Sequence, residues 1–328
     1  MSQYEPPFRI TPKIVDLVSR ITEYVTKLEM LEGKTISPTL RKVNKIKTIT
    51  GTLEIEGNRL GIEKVTAILE GKRVLGTTKE IAEVQGAIKV YDELENFDYK
   101  NRDHILQAHK MLMGEILTKA GTFRTKDVGV GGSEGVVHVA PPSAQVPNLM
   151  RDLFSWLQNS KIHPLIKSSI FHYEFEFIHP FIDGNGRIGR LWQSLILYSW
   201  KNIFSSMPIE SIVRDAQESY YKALEDCGSL GESTPFIEFM LEAILLTCKN
   251  TLDETQNVPL SVPKNVPLKR LDQVIGLIKE NKYITIDQLS HACNVSSKTI
   301  KRDIAKLKED GKIERVGSLK TGYWELLR

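Results

Sequence analysis

Cysteine is scarce in this chain, where Cys227, Cys248 and Cys293 are widely spaced over 328 positions. Their odd number and their spacing exclude a disulfide framework and a zinc site, so we expect reduced thiols that pack in a core. The sequence also lacks a run of eighteen apolar residues and a basic-then-apolar N-terminal segment, so neither a transmembrane helix nor a secretory signal is expected. These absences predict a cytoplasmic protein.

An excess of one charge is absent as well. The net charge is +3, with 26% charged and 41% hydrophobic residues, which is ordinary for a globular protein. Charge over the whole chain therefore points to no class of partner, while the length of 328 residues predicts two or three domains.

A dense polar stretch, His-Pro-Phe-Ile-Asp-Gly-Asn-Gly-Arg-Ile-Gly-Arg, runs from His179 to Arg190 and is followed by apolar residues with helical spacing. This pattern predicts a glycine-rich turn that opens a helix, whose first N–H groups bind anions. Gly184 and Gly186 let a phosphate approach the backbone. Arg187 and Arg190 are three apart, so we expect both guanidinium groups to reach one polyphosphate.

Two further side chains in the stretch bring chemistry to that phosphate site. Asp183 is a hard oxygen ligand of the kind that holds Mg²⁺ beside phosphates. His179 takes up a proton near neutral pH. Together these residues predict a site for nucleotide-phosphate transfer.

The stretch resembles the signature of Fic-domain proteins, His-x-Phe-x-(Asp/Glu)-Gly-Asn-Gly-Arg-x-x-Arg. All eight specified positions match: His179, Phe181, Asp183, Gly184, Asn185, Gly186, Arg187 and Arg190. The resemblance implies a mainly helical fold and transfer of AMP from ATP to a Ser, Thr or Tyr hydroxyl of a protein. The related Doc kinases carry a lysine at the position of Gly186, and this departure favours AMP transfer.

By that resemblance His179 deprotonates the hydroxyl and Asp183 holds Mg²⁺. The nucleotide would contact residues of the signature, of an upstream segment and of a later helix: Thr52, Glu56, Gly184, Asn185, Gly186, Arg187, Ile188, Gly189, Arg190 and Tyr221. A β-hairpin flap near residues 121–140 would hold the target protein by strand addition.

Gly184-x-Gly186-x-x-Gly189 also fits a dinucleotide-binding fingerprint, with Glu210 at the expected distance downstream. That interpretation needs a strand before the glycines. The apolar periodicity of residues 165–178 fits both a helix and a strand. Without the family resemblance, we favour a strand for this segment. The dinucleotide interpretation leaves the histidine, the aspartate and both arginines of the stretch unexplained.

The segment Thr52-Leu-Glu-Ile-Glu-Gly-Asn58 resembles the inhibitory motif found with some Fic domains, (Ser/Thr)-x-x-x-Glu-(Gly/Asn). The resemblance implies that Glu56 pairs with Arg190 and repels the γ-phosphate of ATP. The alternative is a surface glutamate at a helix end, before a stop at Gly57 and Asn58.

Charge and composition divide the chain further. We predict an N-terminal helical region at 1–98, a catalytic core at 99–250, a proline-containing linker at 251–267 and a separate domain at 268–328. In the core, His104 and His109 are five apart on one helix, so we interpret both as ordinary helix residues and not as metal ligands.

From Leu268 to Arg328 we count thirteen Lys or Arg and eight Asp or Glu, a net +5 against −2 for the remainder. Two helices, a third at 296–308 and two short strands resemble a winged helix-turn-helix. In such modules the third helix enters the major groove, where the DNA contacts would be Lys298, Thr299, Lys301 and Arg302. The alternative is a winged helix used only for protein contacts.

The sequence thus predicts a protein adenylyltransferase that uses ATP and Mg²⁺, modifies a target protein and itself, and is inhibited by Glu56. Two other functions stay open: removal of AMP with Glu56 orienting a water, and a DNA-binding regulator that senses nucleotide. The sequence also leaves a homodimer open.

Overall fold

The computed structural model describes residues 4–35, 38–132, 135–256, 274–275, 277–279, 281–293, 297–309, 311–316 and 323–326. The chain divides into two compact units, Met1–Asn257 and Val258–Arg328. In these described segments, none of the helices combines the length and the apolar run that crossing a bilayer requires.

The first unit begins with four helices: α1 (Pro12–Thr35), α2 (Pro38–Ile55), α3 (Gly61–Leu69) and α4 (Thr78–Asp92). Thr11 caps α1 by accepting a hydrogen bond from the Ile14 amide at 3.1 Å, and Thr77 and Glu80 form a capping box at the start of α4. The predicted helices of the N-terminal region are therefore present.

The middle of the unit comprises α5 (Arg102–Met113), the antiparallel strands β1 (Gly129–Gly132) and β2 (Gly135–Val139), α6 (Val146–Asn159), α7 (Pro164–Ile178) and α8 (Asn185–Trp200). Short 3₁₀ turns occupy Leu94–Asn96, Ser143–Gln145 and Asn202–Ser206. The strands form the expected hairpin.

Helix α7 corrects the preference for a strand at residues 165–178. It begins at Pro164, a favoured first helical residue, and every residue from Leu165 to Phe175 is buried. A helix that is buried on all sides carries no polar stripe, so its sequence has no clear 3.6-residue period. This is why the periodicity of the segment was misleading.

The unit ends with α9 (Ile209–Asp215), α10 (Gln217–Leu230) and α11 (Thr234–Gln256). The chain turns at Ala216, between α9 and α10. Residues 251–256 of the predicted linker are the last turns of α11, and its remainder lies outside the described residues.

One apolar core runs through the first unit and includes residues from Ile14 to Leu252. It draws on both the predicted N-terminal region and the predicted catalytic core, whose boundary at residue 98 stays a prediction. Helices α7 and α8 pack against each other in this core, and Trp192 of α8 is fully buried. Helix α8 is therefore anchored in the core by its packing against α7.

The second unit has helical residues at 274–275 and 277–279, then α12 (Ile286–Ala292), α13 (Ser297–Glu309) and the antiparallel strands β3 (Ile313–Val316) and β4 (Tyr323–Leu326). It has its own apolar core, in which Ile300 and Leu307 of α13 pack with Trp324 of β4. This arrangement confirms the winged helix-turn-helix.

Candidate active site

His179 lies at the turn between α7 and α8. Its amide donates to the Phe175 carbonyl at 2.9 Å, and its backbone is left-handed, with φ 48°. Among the described residues it alone combines a side chain with positive φ. Such a conformation costs about 1–3 kcal/mol and is found where a site requires it. It turns the chain directly from α7 into the loop that leads to α8.

Arg124 fixes this turn to the hairpin. Its buried guanidinium donates to the carbonyls of His179 at 2.8 Å, Lys126 at 3.0 Å and Pro141 at 2.5 Å, and its amide donates to Pro180 at 2.9 Å. Lys126 precedes β1 and Pro141 follows β2. One side chain therefore connects both ends of the predicted flap to the histidine turn.

The start of α8 is shaped by Gly184, which precedes the helix with φ 86°. Asn185 accepts a hydrogen bond from the Phe181 amide at 2.8 Å and donates to the Phe181 carbonyl at 2.9 Å. Its side chain thus braces the loop instead of facing a ligand. The Ile188 amide bonds to Gly184 at 3.1 Å and its side chain is fully buried, so the open amides of the first turn are those of residues 185–187.

Arg190 is paired with the upstream segment, as the inhibitory motif implies. Its Nη2 lies 2.6 Å from Glu56 Oε1 and 3.2 Å from the Thr52 carbonyl, and its Nε donates to Thr52 Oγ1 at 3.0 Å. The side chain of Arg190 is 2% exposed and that of Glu56 is 28% exposed. The partly exposed Glu56 carboxylate therefore bonds to a buried arginine.

The backbone around Glu56 is a tight helix end. Gly57, with φ 84°, donates to the Glu54 carbonyl, and Asn58 donates to the Leu53 carbonyl, which is a Schellman-type ending of α2. A carboxylate at the C-terminal end of a helix is unfavourable for the helix dipole. The position of Glu56 is thus explained by its contact with Arg190 and not by helix stability.

Arg187 points to two other carboxylates. Its Nη2 lies 3.0 Å from Asp183 Oδ1 and its Nη1 lies 3.1 Å from Glu83 Oε1 on α4. The Asn58 side chain donates to the other Glu83 oxygen at 2.8 Å. Glu83 is not apparent from the sequence, because it lies 104 positions before Arg187. Both signature arginines are therefore neutralised by carboxylates.

His109 supports the loop between α7 and α8. This role was not predicted from the sequence. Its ring stacks on Phe181 with centroids 3.7 Å apart, and its Nδ1 accepts from the Gly121 amide at 2.8 Å. The other nitrogen, Nε2, therefore carries the proton and donates to the Asp183 carbonyl at 2.9 Å. Burial lowers the pKa of His109 to about 4, so the ring stays neutral in this role.

The two tyrosines of α10 differ in how far their rings are exposed. Tyr220 is fully buried, and its hydroxyl lies 3.1 Å from His172 Nε2. Tyr221 is 46% exposed and donates to the Ile55 carbonyl at 3.3 Å, beside the helix end that carries Glu56. Of the two, only Tyr221 offers an exposed ring to a nucleotide.

The dinucleotide interpretation is wrong for this chain. A helix, α7, precedes the glycines where the fingerprint needs a strand. Glu210, the expected ribose ligand, is buried and accepts hydrogen bonds from Ser194 at 2.9 Å and Tyr91 at 3.1 Å. It serves the core and not a ribose.

Comparison with known proteins agrees with this geometry. Residues 99–197 match the Fic/DOC family, and residues 270–317 match the DeoR-like helix-turn-helix domain. The chain is similar to the crystal structure of a Fic family protein from Desulfovibrio desulfuricans G20, with 40% identity, a TM-score of 0.77 and 98% of each chain covered.

Two of the more distant matches are eukaryotic proteins. Fic-1 (residues 134–508) from C. elegans shares 22% identity and a TM-score of 0.59 over 74% of this chain and 72% of that one, a likeness of fold alone. The protein adenylyltransferase Fic of Drosophila ananassae is 28% identical over 273 residues, 76% of this chain and 52% of that protein. The chain thus spans about half the length of the curated relatives it matches.

Proposed function

The chain belongs to the Fic family, and we propose that it is a protein adenylyltransferase that moves AMP from ATP to a Ser, Thr or Tyr hydroxyl of a target protein and of itself. One observation carries the proposal: His179 is held in a strained turn before the open first turn of α8, the helix that carries both signature arginines. The Drosophila relative named protein adenylyltransferase supports it.

In the proposed reaction His179 takes the proton of the target hydroxyl, whose oxygen attacks the α-phosphorus of ATP. The bond to the β-phosphate breaks in line and pyrophosphate leaves. The open amides at 185–187 would bind phosphate oxygens, and Arg187 and Arg190 would hold the β- and γ-phosphates after leaving their carboxylates. Fixed dipoles and charges of this kind supply most of the rate in phosphoryl chemistry.

Asp183 fits the part of a Mg²⁺ ligand. Its side chain is 39% exposed, and its Oδ1 accepts from Arg187 at 3.0 Å and from the Gly184 amide at 2.6 Å. The described part of the chain contains no group of three His, Cys, Asp or Glu that could hold a metal. A single carboxylate suits Mg²⁺, which takes its other ligands from phosphates and water. When bound, the ion would neutralise charge on the phosphates.

We propose that Glu56 inhibits this reaction. A γ-phosphate on Arg190 would meet the Glu56 carboxylate, and like charges at that distance repel. A Cβ built on Gly186 would collide with Glu56 Oε1, so the carboxylate lies directly against the first turn of α8. This is the space that the phosphates would need.

The hairpin β1–β2 is the proposed platform for the target protein. Its strands pair Gly129 with Val139 and Val130 with His138, and Arg124 fixes its base to the histidine turn. A target segment added to this edge would place its hydroxyl near His179. The exposed ring of Tyr221 is the proposed neighbour of the nucleotide base.

The test is AMP incorporation from ATP labelled at the α-phosphate. We expect weak self-modification by the wild type and strong self-modification by Glu56→Gly. A Glu56→Gly protein that binds ATP and incorporates no AMP would contradict transfer. If wild type instead removes AMP from a modified sample faster than Glu56→Gly does, removal is the main activity.

We propose DNA binding as the function of the second unit. The match to a DeoR-like helix-turn-helix supports it, as do Lys301 and Arg302, which are exposed on α13, while Ile300 and Leu307 are buried. Thr299 is half-buried, and the Lys298 side chain lies outside the described residues. A gel shift with duplex DNA tests this, and no binding at low salt would favour protein contacts. A cytoplasmic location and a homodimer stay predictions.

A further inference from the structure

Glu176 lies on α7, one helical turn before His179. Its Oε2 is 3.8 Å from His179 Nδ1, and its Oε1 is 3.8 Å from His172 Nε2. The side chain is 12% exposed, and within the described segments Oε1 is a buried oxygen with no hydrogen-bond partner. A buried carboxyl group that is left partly unsatisfied calls for a functional explanation.

His172 cannot satisfy this carboxyl group. Its Nδ1 lies 2.6 Å from Gln193 Oε1, which only accepts, so Nδ1 carries the ring proton. Its Nε2 then accepts from the Tyr220 hydroxyl at 3.1 Å. Burial lowers the pKa of His172 to about 3, so the ring is neutral and offers Glu176 no proton. Of the two histidines beside Glu176, His179 is then the one with a proton to give.

Gly189 of the signature makes room for this arrangement. A Cβ at that position would lie 2.9 Å from Glu176 Oε1 and 2.8 Å from His172 Cδ2, closer than side chains approach. The absence of a side chain at Gly189 lets α8 pack against the Glu176 carboxyl group. The packing therefore holds Glu176 beside His179 and limits where it can turn.

We propose that Glu176 is a positioning residue for His179: its ionised carboxylate accepts the Nδ1 proton of the imidazole and leaves Nε2 bare to take the proton of the target hydroxyl. This inference rests on the proposed function, in which His179 is the base. The proposed hydrogen bond requires the 3.8 Å separation between Glu176 Oε2 and His179 Nδ1 to shorten. An imidazole that is held in the right tautomer is ready as a base.

The protonation of Glu176 then decides which tautomer His179 adopts. A protonated Glu176 would donate to Nδ1, which places the imidazole proton on Nε2 and blocks the base. Six ionisable neighbours among the described residues face the carboxyl group, namely His172 on α7, His179 in the turn after it, Arg190 on α8, Glu56 at the end of α2, and Tyr220 and Tyr221 on α10.

Burial raises the pKa of Glu176 to about 8, Arg190 acts to lower it and Glu56 acts to raise it further. The acid form of Glu176 therefore dominates below that pH and the ionised form above it. The population of the His179 tautomer that leaves Nε2 unprotonated should therefore increase as pH rises. Removing Glu56 takes away one cause of the raised pKa, so the change should then occur at lower pH.

The kinetic test uses the full chain in the Glu56→Gly background. Glu176→Gln should lower kcat for self-modification by at least about tenfold, with KM for ATP unchanged, because the base and not the nucleotide site is affected. Its activity should also lose the rise with pH that the parent shows. The matched control is Glu174→Gln, which alters a buried carboxyl group on the same helix that bonds to Tyr4. It should keep kcat within about twofold of the parent.

A second measurement reads the imidazole directly and needs no activity. In ¹⁵N-histidine spectra, with His179→Ala to assign the signals, the parent should change from the Nε2–H to the Nδ1–H tautomer as pH rises. Glu176→Gln should show no such change. An unaltered kcat together with an unaltered tautomer in Glu176→Gln would overturn the inference. A parent that incorporates no AMP would instead overturn the proposed function, and the spectra would still decide the contact.

Discussion

The signature arginines and the basic residues of α13 are both proposed to bind phosphate, but they are held in opposite ways. The side chains of Arg187 and Arg190 are 3% and 2% exposed, and each is bonded to a carboxylate. Lys301 and Arg302 are exposed on the surface of α13. A phosphate at the first site has to displace a carboxylate, whereas one at the second site has only to displace salt ions.

The difference teaches that burial makes phosphate binding conditional. A buried cation that loses its partner is strongly destabilised, so we expect Arg190 to hold either Glu56 or a phosphate. An exposed cation is solvated in either state and gains little from a partner. The first site is therefore suited to control and the second to simple electrostatic attachment.

The largest effect on AMP transfer is expected from replacing His179, the proposed base. In the Glu56→Gly background, His179→Ala should lower AMP transfer by about 10²–10⁴-fold, because proton transfer from the hydroxyl is lost. ATP affinity, measured by calorimetry, should stay close to that of the parent. Transfer at a near-normal rate would show that the buried site works without His179 as a base.

The next largest effect is expected from removing Glu56, the carboxylate partner of Arg190. Glu56→Gly should raise self-modification by at least about tenfold, since misplaced reacting groups cost about a hundredfold in rate. Its matched control is Glu54→Gly, which introduces the same residue into α2 but removes a partner of Arg214, 2.9 Å away. The control should stay close to the wild type in AMP incorporation.

Arg190→Ala separates inhibition from phosphate binding. This change removes the partner of Glu56 together with the proposed ligand of the γ-phosphate, so it should be inactive. The double variant Glu56→Gly/Arg190→Ala should be as inactive as Arg190→Ala alone. If Glu56→Gly leaves activity unchanged or lowers it, Glu56 is not inhibitory.

The sequence was most informative where the chemistry is local. The signature places the histidine, the aspartate and both arginines within twelve consecutive positions, so their proximity needs no knowledge of the fold. The helices and the two strands of the winged module follow from short apolar patterns in the same way. The contact between Glu56 and Arg190 was expected only through resemblance to a known motif.

Partners that are far apart in the chain could not be predicted. Glu83 of α4 reaches Arg187 of α8 only through the tertiary fold, and a lone glutamate on an amphipathic helix gives no sign of this. His109 looked ordinary because its burial against Phe181 depends on a loop 72 residues away. The sequence likewise gives no direction for Asn185, whose side chain turns back to brace the loop.

A smaller effect is expected at the exposed site. Replacing Lys301 and Arg302 with alanine should weaken duplex binding and reduce the slope of log affinity against log salt by roughly 2, since about one ion is released for each phosphate contact. AMP transfer by the same protein should not change. An unaltered salt slope, measured by fluorescence anisotropy, would show that these side chains do not meet the DNA backbone.

The smallest effect on catalysis should follow from removing the second unit. In the described residues, the apolar core of the first unit ends at Leu252 and that of the second begins at Val274. Deleting residues 268–328 in the Glu56→Gly background should therefore leave a folded protein with the activity of the parent. Its melting temperature should stay within about 2–4 °C, the shift that 1 kcal/mol produces in a unit of this size. An insoluble or inactive truncation would show that the paired arginines depend on the second unit, and the division at residue 268 would be wrong.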